Sequence, residues 1–259
     1  MNFSRNKILI QTFFFINFTI FICCFPFFYM LVLTGDMLMI FIVFCLFVYS
    51  LHNLMNLLHI SSHNLVSRNK LINNTIGHIC AIFSGLTFIE FRSTHILHHK
   101  HTKIYGKDPD MEITNSGHYM LIPFRIWQKD VYFFKSNLYK KKGYLISYLL
   151  DRILQLFFII LIICAILTFK IYVFGIILSL YLLALFITGF LNGLFLFFFP
   201  HYSTPFVDKT NLKFVKNAVQ LSRISHSQHH DRISRLDCYF PLERYLLTKI
   251  VFLKHNKIN

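Results

Sequence analysis

Charge is scarce in this chain of 259 residues: only 14% is Asp, Glu, Lys or Arg, and the acidic side chains number 11. Hydrophobic residues make up 55%, aromatics 18%, and the mean hydropathy is +0.54, a composition that excludes an ordinary soluble domain. Tryptophan occurs once, as Trp127 in a polar stretch, where it reads as an interface anchor. The six cysteines form no Cys-x-x-Cys pair, and Cys23, Cys24, Cys45 and Cys164 lie in long apolar runs. They read as small apolar fillers, which argues against a disulfide framework or a thiolate metal site. No His-Glu-x-x-His stands in the chain, so the usual zinc-hydrolase signature is missing. There is also no haem or iron–sulfur motif, no low-complexity linker, and no internal repeat beyond the histidine clusters described below.

What is present is apolar sequence in long blocks. Residues 8–33, 37–58, 153–169 and 171–199 are each long enough to cross a bilayer. Gly35-Asp36 joins the first two, and Lys170 stands near the tip of the second pair, so the expected fold is an all-α integral membrane protein of two hairpins. Of the 26 Lys and Arg residues, 2 precede the first span, 13 lie between the second and third, and 10 follow the last. That sorting is the positive-inside pattern. It puts both termini and the middle segment on the cytoplasmic side, and it accounts for the net charge of +15 without a nucleic-acid partner. Residues 71–91 are apolar but carry Asn73, Asn74, His78 and Glu90, so an interfacial or re-entrant segment is expected there. One membrane-embedded domain, residues 1–259, accounts for the whole length.

Histidine is the residue in excess, with 14 copies. His95-x-x-His98-His99 and His226-x-x-His229-His230 repeat one arrangement, which on a helix projects three imidazoles from one turn. Chance places that triple about 0.04 times in a chain of this composition. His59 and His63 add an i, i+4 pair at the end of the second span. Eight imidazoles are too many for one four-coordinate zinc and suit two metal ions with positions left for a small molecule. Two hairpins with cytoplasmic ends bring all three clusters to one membrane face, giving a cytoplasmic histidine-rich cap. His52 and Asn56 continue the His59–His63 stripe deeper into the span, and His52 reads as a hydrogen-bonded interior histidine. Single histidines such as His78, His118 and His255 read as solvated surface residues. Asn192, beside Gly189 and Gly193, is expected to bond across a helix contact.

Arg92-x-x-His95-x-x-His98-His99-x-x-Thr102, followed by Asp108-Pro109-Asp110, together with the two other histidine clusters, resembles the membrane fatty acid desaturase superfamily. Ser62-His63 with Arg68-Asn69, Gly77-His78, Pro200-His201, and Pro241 with Arg244-Tyr245 are similar to the branch of carotenoid ring hydroxylases. The resemblance implies a diiron centre held by His59, His63, His95, His98, His99, His226, His229 and His230, with His201 as a further ligand. Asp108, Asp110 and Asp231 are the candidates for orienting those ligands. It also implies O₂ as co-substrate, a lipid substrate in an apolar tunnel, and a separate electron donor of ferredoxin or cytochrome type. Desaturation of an acyl chain is the first expectation and hydroxylation of a carotenoid or other lipid the second. A membrane metal transporter would need ionisable ligands at mid-bilayer, and these spans carry no charge at their centres.

Overall fold

The computed structural model of the chain describes residues 3–111, 121, 125, 128–168, 171–194 and 213–231. Its elements are α1 (Phe3–Thr34), α2 (Met37–Ser62), α3 (Lys70–Phe83), α4 (Phe88–His101), α5 (Gln128–Lys135), α6 (Tyr144–Thr168), α7 (Ile171–Asn192) and α8 (Lys213–Asp231). Among the described residues there is no strand, and four helices are long and apolar enough to cross a membrane: Lys7–Thr34, Met37–Ser62, Tyr144–Leu161 and Tyr172–Asn192. The all-α membrane architecture expected from composition is what the chain adopts.

The first hairpin closes at Gly35, whose φ of +73° favours glycine, and at Asp36, which caps α2 by accepting a hydrogen bond from the Met39 N–H at 3.0 Å. Aromatic rings hold the hairpin together. Phe21 stacks on Phe47 with centroids 4.9 Å apart, and Phe25 and Phe28 meet Phe47 edge-on. Inside this apolar contact Asn53 Nδ2 donates to Asn17 Oδ1 at 2.9 Å, so two buried amides satisfy each other in part. α7 joins through Tyr181, whose ring lies 6.2 Å from Phe47 and whose hydroxyl donates to the Phe83 carbonyl at the end of α3.

α3 and α4 do not cross as one helix: they are bent by 102° at residues 84–87. The bend is held by side chains from α6. Asp151 accepts the Phe88 N–H at 2.8 Å, capping α4, and accepts His78 Nδ1–H at 2.7 Å. Arg152 donates to the Gly85 carbonyl and pairs with Asp130, while Gln155 donates to the Leu86 carbonyl. Gly77 lets the two helices approach, since a Cβ there would lie 2.4 Å from the Phe88 ring.

The helix that carries the expected third span is already helical from Tyr144, with Asp151 and Arg152 inside it against the α3–α4 turn. α2 runs to Ser62, which keeps His59 helical, as the His59–His63 spacing implies, with His63 as its C-cap. One expectation needs correction: His78 is not simply solvated, since Asp151 accepts its Nδ1–H. Lys170, the end of the fourth span, and the residues Trp127, His118, Pro200, Cys238, Pro241, Arg244, Tyr245 and His255 lie outside the described residues.

Candidate metal centre

Three elements deliver the imidazoles: the C-terminal turn of α2, the last two turns of α4 and the last two turns of α8. Asn73 of α3 ties down the end of α2, donating to the Ser61 carbonyl at 2.9 Å and accepting the Val66 N–H at 3.2 Å. Thr102 ends α4 by donating back to the His98 carbonyl at 2.8 Å.

The eight predicted histidines separate into two groups. His59, His63, His95, His99 and His229 form one, with one ligand nitrogen from each lying within 4.8 Å of all the others; His98, His226 and His230 form the second. Nε2 of His95 stands 2.8 Å from that of His59, 2.9 Å from that of His63 and 3.0 Å from that of His99. His229 Nε2 is 3.1 Å from His59 and 2.9 Å from His99. In the second group His230 Nε2 is 3.2 Å from His98 and 2.9 Å from His226.

A neutral imidazole carries one N–H, so His95 cannot hydrogen-bond through one nitrogen to three others of its kind. Converging lone pairs are what the arrangement shows. A metal with nitrogens at about 2.0–2.1 Å sets ligand nitrogens at right angles about 2.9 Å apart. The observed edges match that spacing, so the donor set fits metal ions.

The two groups are built by exchange. From α4 the i, i+4 pair His95 and His99 enters the first group and His98 the second, whereas from α8 the i, i+4 pair His226 and His230 enters the second and His229 the first. Identical turns face each other, each sending its pair one way and its odd member the other. His59 and His63 join only the first group, which leaves three imidazoles in the second among the described residues.

The outer hydrogen bonds aim the rings. Asp108 Oδ1 accepts His98 Nδ1–H at 2.8 Å, so the Nε2 lone pair faces inward. Asp108 is itself fixed by the N–H groups of Lys103 and Asp110, at 2.7 and 2.9 Å. Asp110 Oδ2 approaches His98 Nδ1 at 3.6 Å, and its other oxygen is 3.1 Å from Lys129 Nζ. Phe91 stacks on His95, and the Lys129 ammonium lies 4.9 Å from the Phe91 ring centre. Lys129 is fully buried. Nothing in the sequence distinguishes it from the other lysines of the middle segment, so its place here comes from the fold.

Protonation follows this geometry. Burial first, and then neighbouring imidazoles, push His63 down to about 4, His99 to about 3 and His229 to about 2, and hold His95 well below the usual range. Burial acts on His98 in the same sense, but the Asp110 and Asp108 carboxylates outweigh it and raise it. His201 and the side chain of Asp231 lie outside what is described.

The profile of one protein family, described as fatty acid desaturase, matches residues 37–234, well over half of the chain. The chain belongs to the fatty acid desaturase family. All eight histidines, Asp108, Asp110 and Lys129 fall inside the matched stretch of this desaturase-family chain. Pro241, Arg244 and Tyr245, part of the resemblance to carotenoid hydroxylases, fall beyond it. Comparison with curated proteins and with solved structures gives no match.

Proposed function

We propose that this desaturase-family oxidoreductase is an O₂-dependent diiron lipid desaturase that forms a double bond in a fatty acyl chain. The observation that carries the reading is the pair of converging imidazole groups at the ends of α2, α4 and α8. The eight histidines are the proposed ligands, and His201 is the candidate to complete the three-imidazole group. Bound there, iron would supply activation of O₂ against an unreactive C–H bond. Asp108 holds the His98 tautomer, Asp110 and Lys129 hold that contact in place, and burial keeps His63, His95, His99 and His229 unprotonated. Desaturation removes two hydrogens from adjacent carbons and, with two electrons and two protons, turns O₂ into two waters. Hydroxylation, by contrast, leaves one oxygen on the lipid and releases one water.

Electrons would come from a separate ferredoxin or cytochrome, for which the basic middle segment offers a docking charge. We take the chain as a single catalytic domain with both termini and the metal centre on the cytoplasmic face, a placement supported by the sorting of Lys and Arg. The features shared with carotenoid hydroxylases support a second reading, hydroxylation of a carotenoid or other lipid.

The test is a lipid and pigment profile of a host expressing the chain, grown with and without oxygen, beside His98→Ala. A new unsaturated acyl chain that needs both oxygen and His98 is expected. A new hydroxylated lipid or polar carotenoid would select the second reading, and no new lipid together with no bound iron would refute both.

A further inference from the structure

The turn that joins α4 to Asp108 is built outward from the metal centre. At its root Thr102 donates to the His98 carbonyl, and its hydroxyl oxygen stands 3.4 Å from His230 Nδ1, in place to accept that ring's N–H. Lys103 follows in the left-handed region, with φ of +63°. Its N–H is held by Asp108 Oδ2 at 2.7 Å, while Oδ1 of the same carboxylate accepts from His98. The Ile104 carbonyl accepts the N–H groups of Lys107 and Asp108, at 3.1 and 2.9 Å, around Gly106 with its φ of +71°. Tyr132 of α5 donates to the Lys107 carbonyl at 3.0 Å. The backbone is thus fixed at both ends, which makes a preformed turn of residues 102–108.

This turn presents its side chains to the outside. Tyr105 is 83% exposed and Ile104 46%, and a Cβ at Gly106 would meet nothing within 4 Å. Lys100, Lys103 and Lys107 are exposed on either side of them in the chain. Asp108 and Asp110 are buried, one against His98 and the other beside Lys129, so from Lys100 to Asp110 only positive charge reaches the surface. Exposed apolar side chains among like charges have the anatomy of a small recognition patch, in which the apolar groups anchor and the charges select the sign of the partner.

The partner follows from the balance of the proposed reaction, which takes up two electrons and two protons with each O₂. The turn connects the surface to the three-imidazole group by two short routes, from the Lys103 N–H through Asp108 to His98, and from Thr102 to His230. Lysines and a tyrosine also suit a lipid surface. Two observations favour a soluble partner instead. The turn stands at the end of α4 remote from Phe88, the residue that Asp151 caps inside the α6 span, about 20 Å away at the helix rise. It is also anchored on α5, a short polar helix and not a span.

We propose that Ile104 and Tyr105, with Lys100, Lys103 and Lys107, form the docking surface for an acidic one-electron carrier protein, and that electrons enter through the group of His98, His226 and His230. The proposal rests on the reading of the centre as one that reduces O₂. Two carrier molecules dock in turn, each is oxidised by one electron, and together they supply the two electrons of a turnover.

The test uses the full chain loaded with iron in nanodiscs of uncharged lipid, with two acidic probes, a plant-type ferredoxin and a soluble b-type cytochrome. Affinity is measured for the native protein, for Tyr105→Ala, for Lys103→Glu with Lys107→Glu, and for a control of equal charge change elsewhere, Lys141→Glu with Lys142→Glu. At least one probe binds the native chain, more weakly as salt rises. Tyr105→Ala and the Lys103–Lys107 reversal each weaken that binding about tenfold, and the control stays within about twofold. Reduction of the iron by the probe slows in the same variants, while reduction by dithionite, which needs no docking, keeps its native rate. Binding of neither probe, or equal loss in patch and control variants, overturns the proposal. So does quenching, by spin-labelled lipid, of a fluorophore on Tyr105→Cys in a chain with its native cysteines replaced, which places the turn in the membrane surface. Tyr105→Ala keeps the test decisive if the reversal disturbs Asp108. Failure of the desaturase reading looks different, as iron that does not bind or that dithionite does not reduce, and the affinities then decide the docking alone.

Discussion

Lys129 shows how a residue far from any histidine motif can bear on the proposed metal centre, here through Asp110. Both are buried, their charges stand 3.1 Å apart, and Asp110 lies beside the Nδ1 of His98. Lys129→Met removes the Lys129 charge from beside the buried Asp110 carboxylate, and breaking such a pair costs about 3–5 kcal/mol. We expect Lys129→Met to lower both the unfolding midpoint and the iron content, and Lys129→Met with Asp110→Asn to recover most of the stability. Equal damage in the single and double variants would mean that the pair is not coupled. Acid should act on the metal-free protein through the other rings. His63, His99 and His229 have folded values below their ordinary one of about 6.5, so between pH 6.5 and 4 the unfolded chain binds protons that the folded chain does not. Stability then falls as the pH falls through that window. His98, raised by its carboxylates, contributes stabilisation that is fully present below pH 6.5 and is lost as the pH rises above it, so it is constant within the window. The metal-free unfolding midpoint should drop steadily from pH 6.5 to 4.5; a midpoint that stays level would contradict neutral, crowded imidazoles.

Among the elements, the bent pair α3–α4 is the one that places His95, His98 and His99. Its shape depends on Gly77 passing the Phe88 ring and on Asp151, Arg152 and Gln155 of α6 holding residues 85–88. A leucine at Gly77 has nowhere to go, because even its Cβ would lie within 2.4 Å of Phe88. Overpacking of this kind costs about 1–3 kcal/mol. Gly77→Leu should therefore lose iron as well as stability, and Phe88→Ala in the same chain should restore part of both. The bend was legible as a polar interruption of an apolar stretch. Its stabilisation was not, because Asp151 and Arg152 read in sequence as the polar flank of a span, and only packing shows them inside the helix against the turn.

For the whole molecule, the proposed orientation across the membrane rests on the sorting of Lys and Arg. Single cysteines placed at Met37, at the hairpin tip, and at Lys141, after α5, in a chain with its native cysteines replaced, should react from opposite sides with an impermeant thiol reagent. Labelling of Lys141→Cys only from the cytoplasmic side and Met37→Cys only from the other is expected. The same accessibility at both positions would break the two-hairpin arrangement.

By itself the sequence determined the class of fold and the identity of the clustered side chains. Hydropathy reports how much chain must leave water, charge sorting supports the proposed direction, and the 3.6-residue period puts His95, His98 and His99 on one turn; all three are local properties. The tertiary structure decided the rest. The division of eight imidazoles into groups of five and three depends on two similar turns facing each other with their pairs exchanged, a relation between α4 and α8 that no local pattern encodes. Lys129 behind Asp110 and Asn192 beside His52 are contacts between elements distant along the chain, set by how the helices pack.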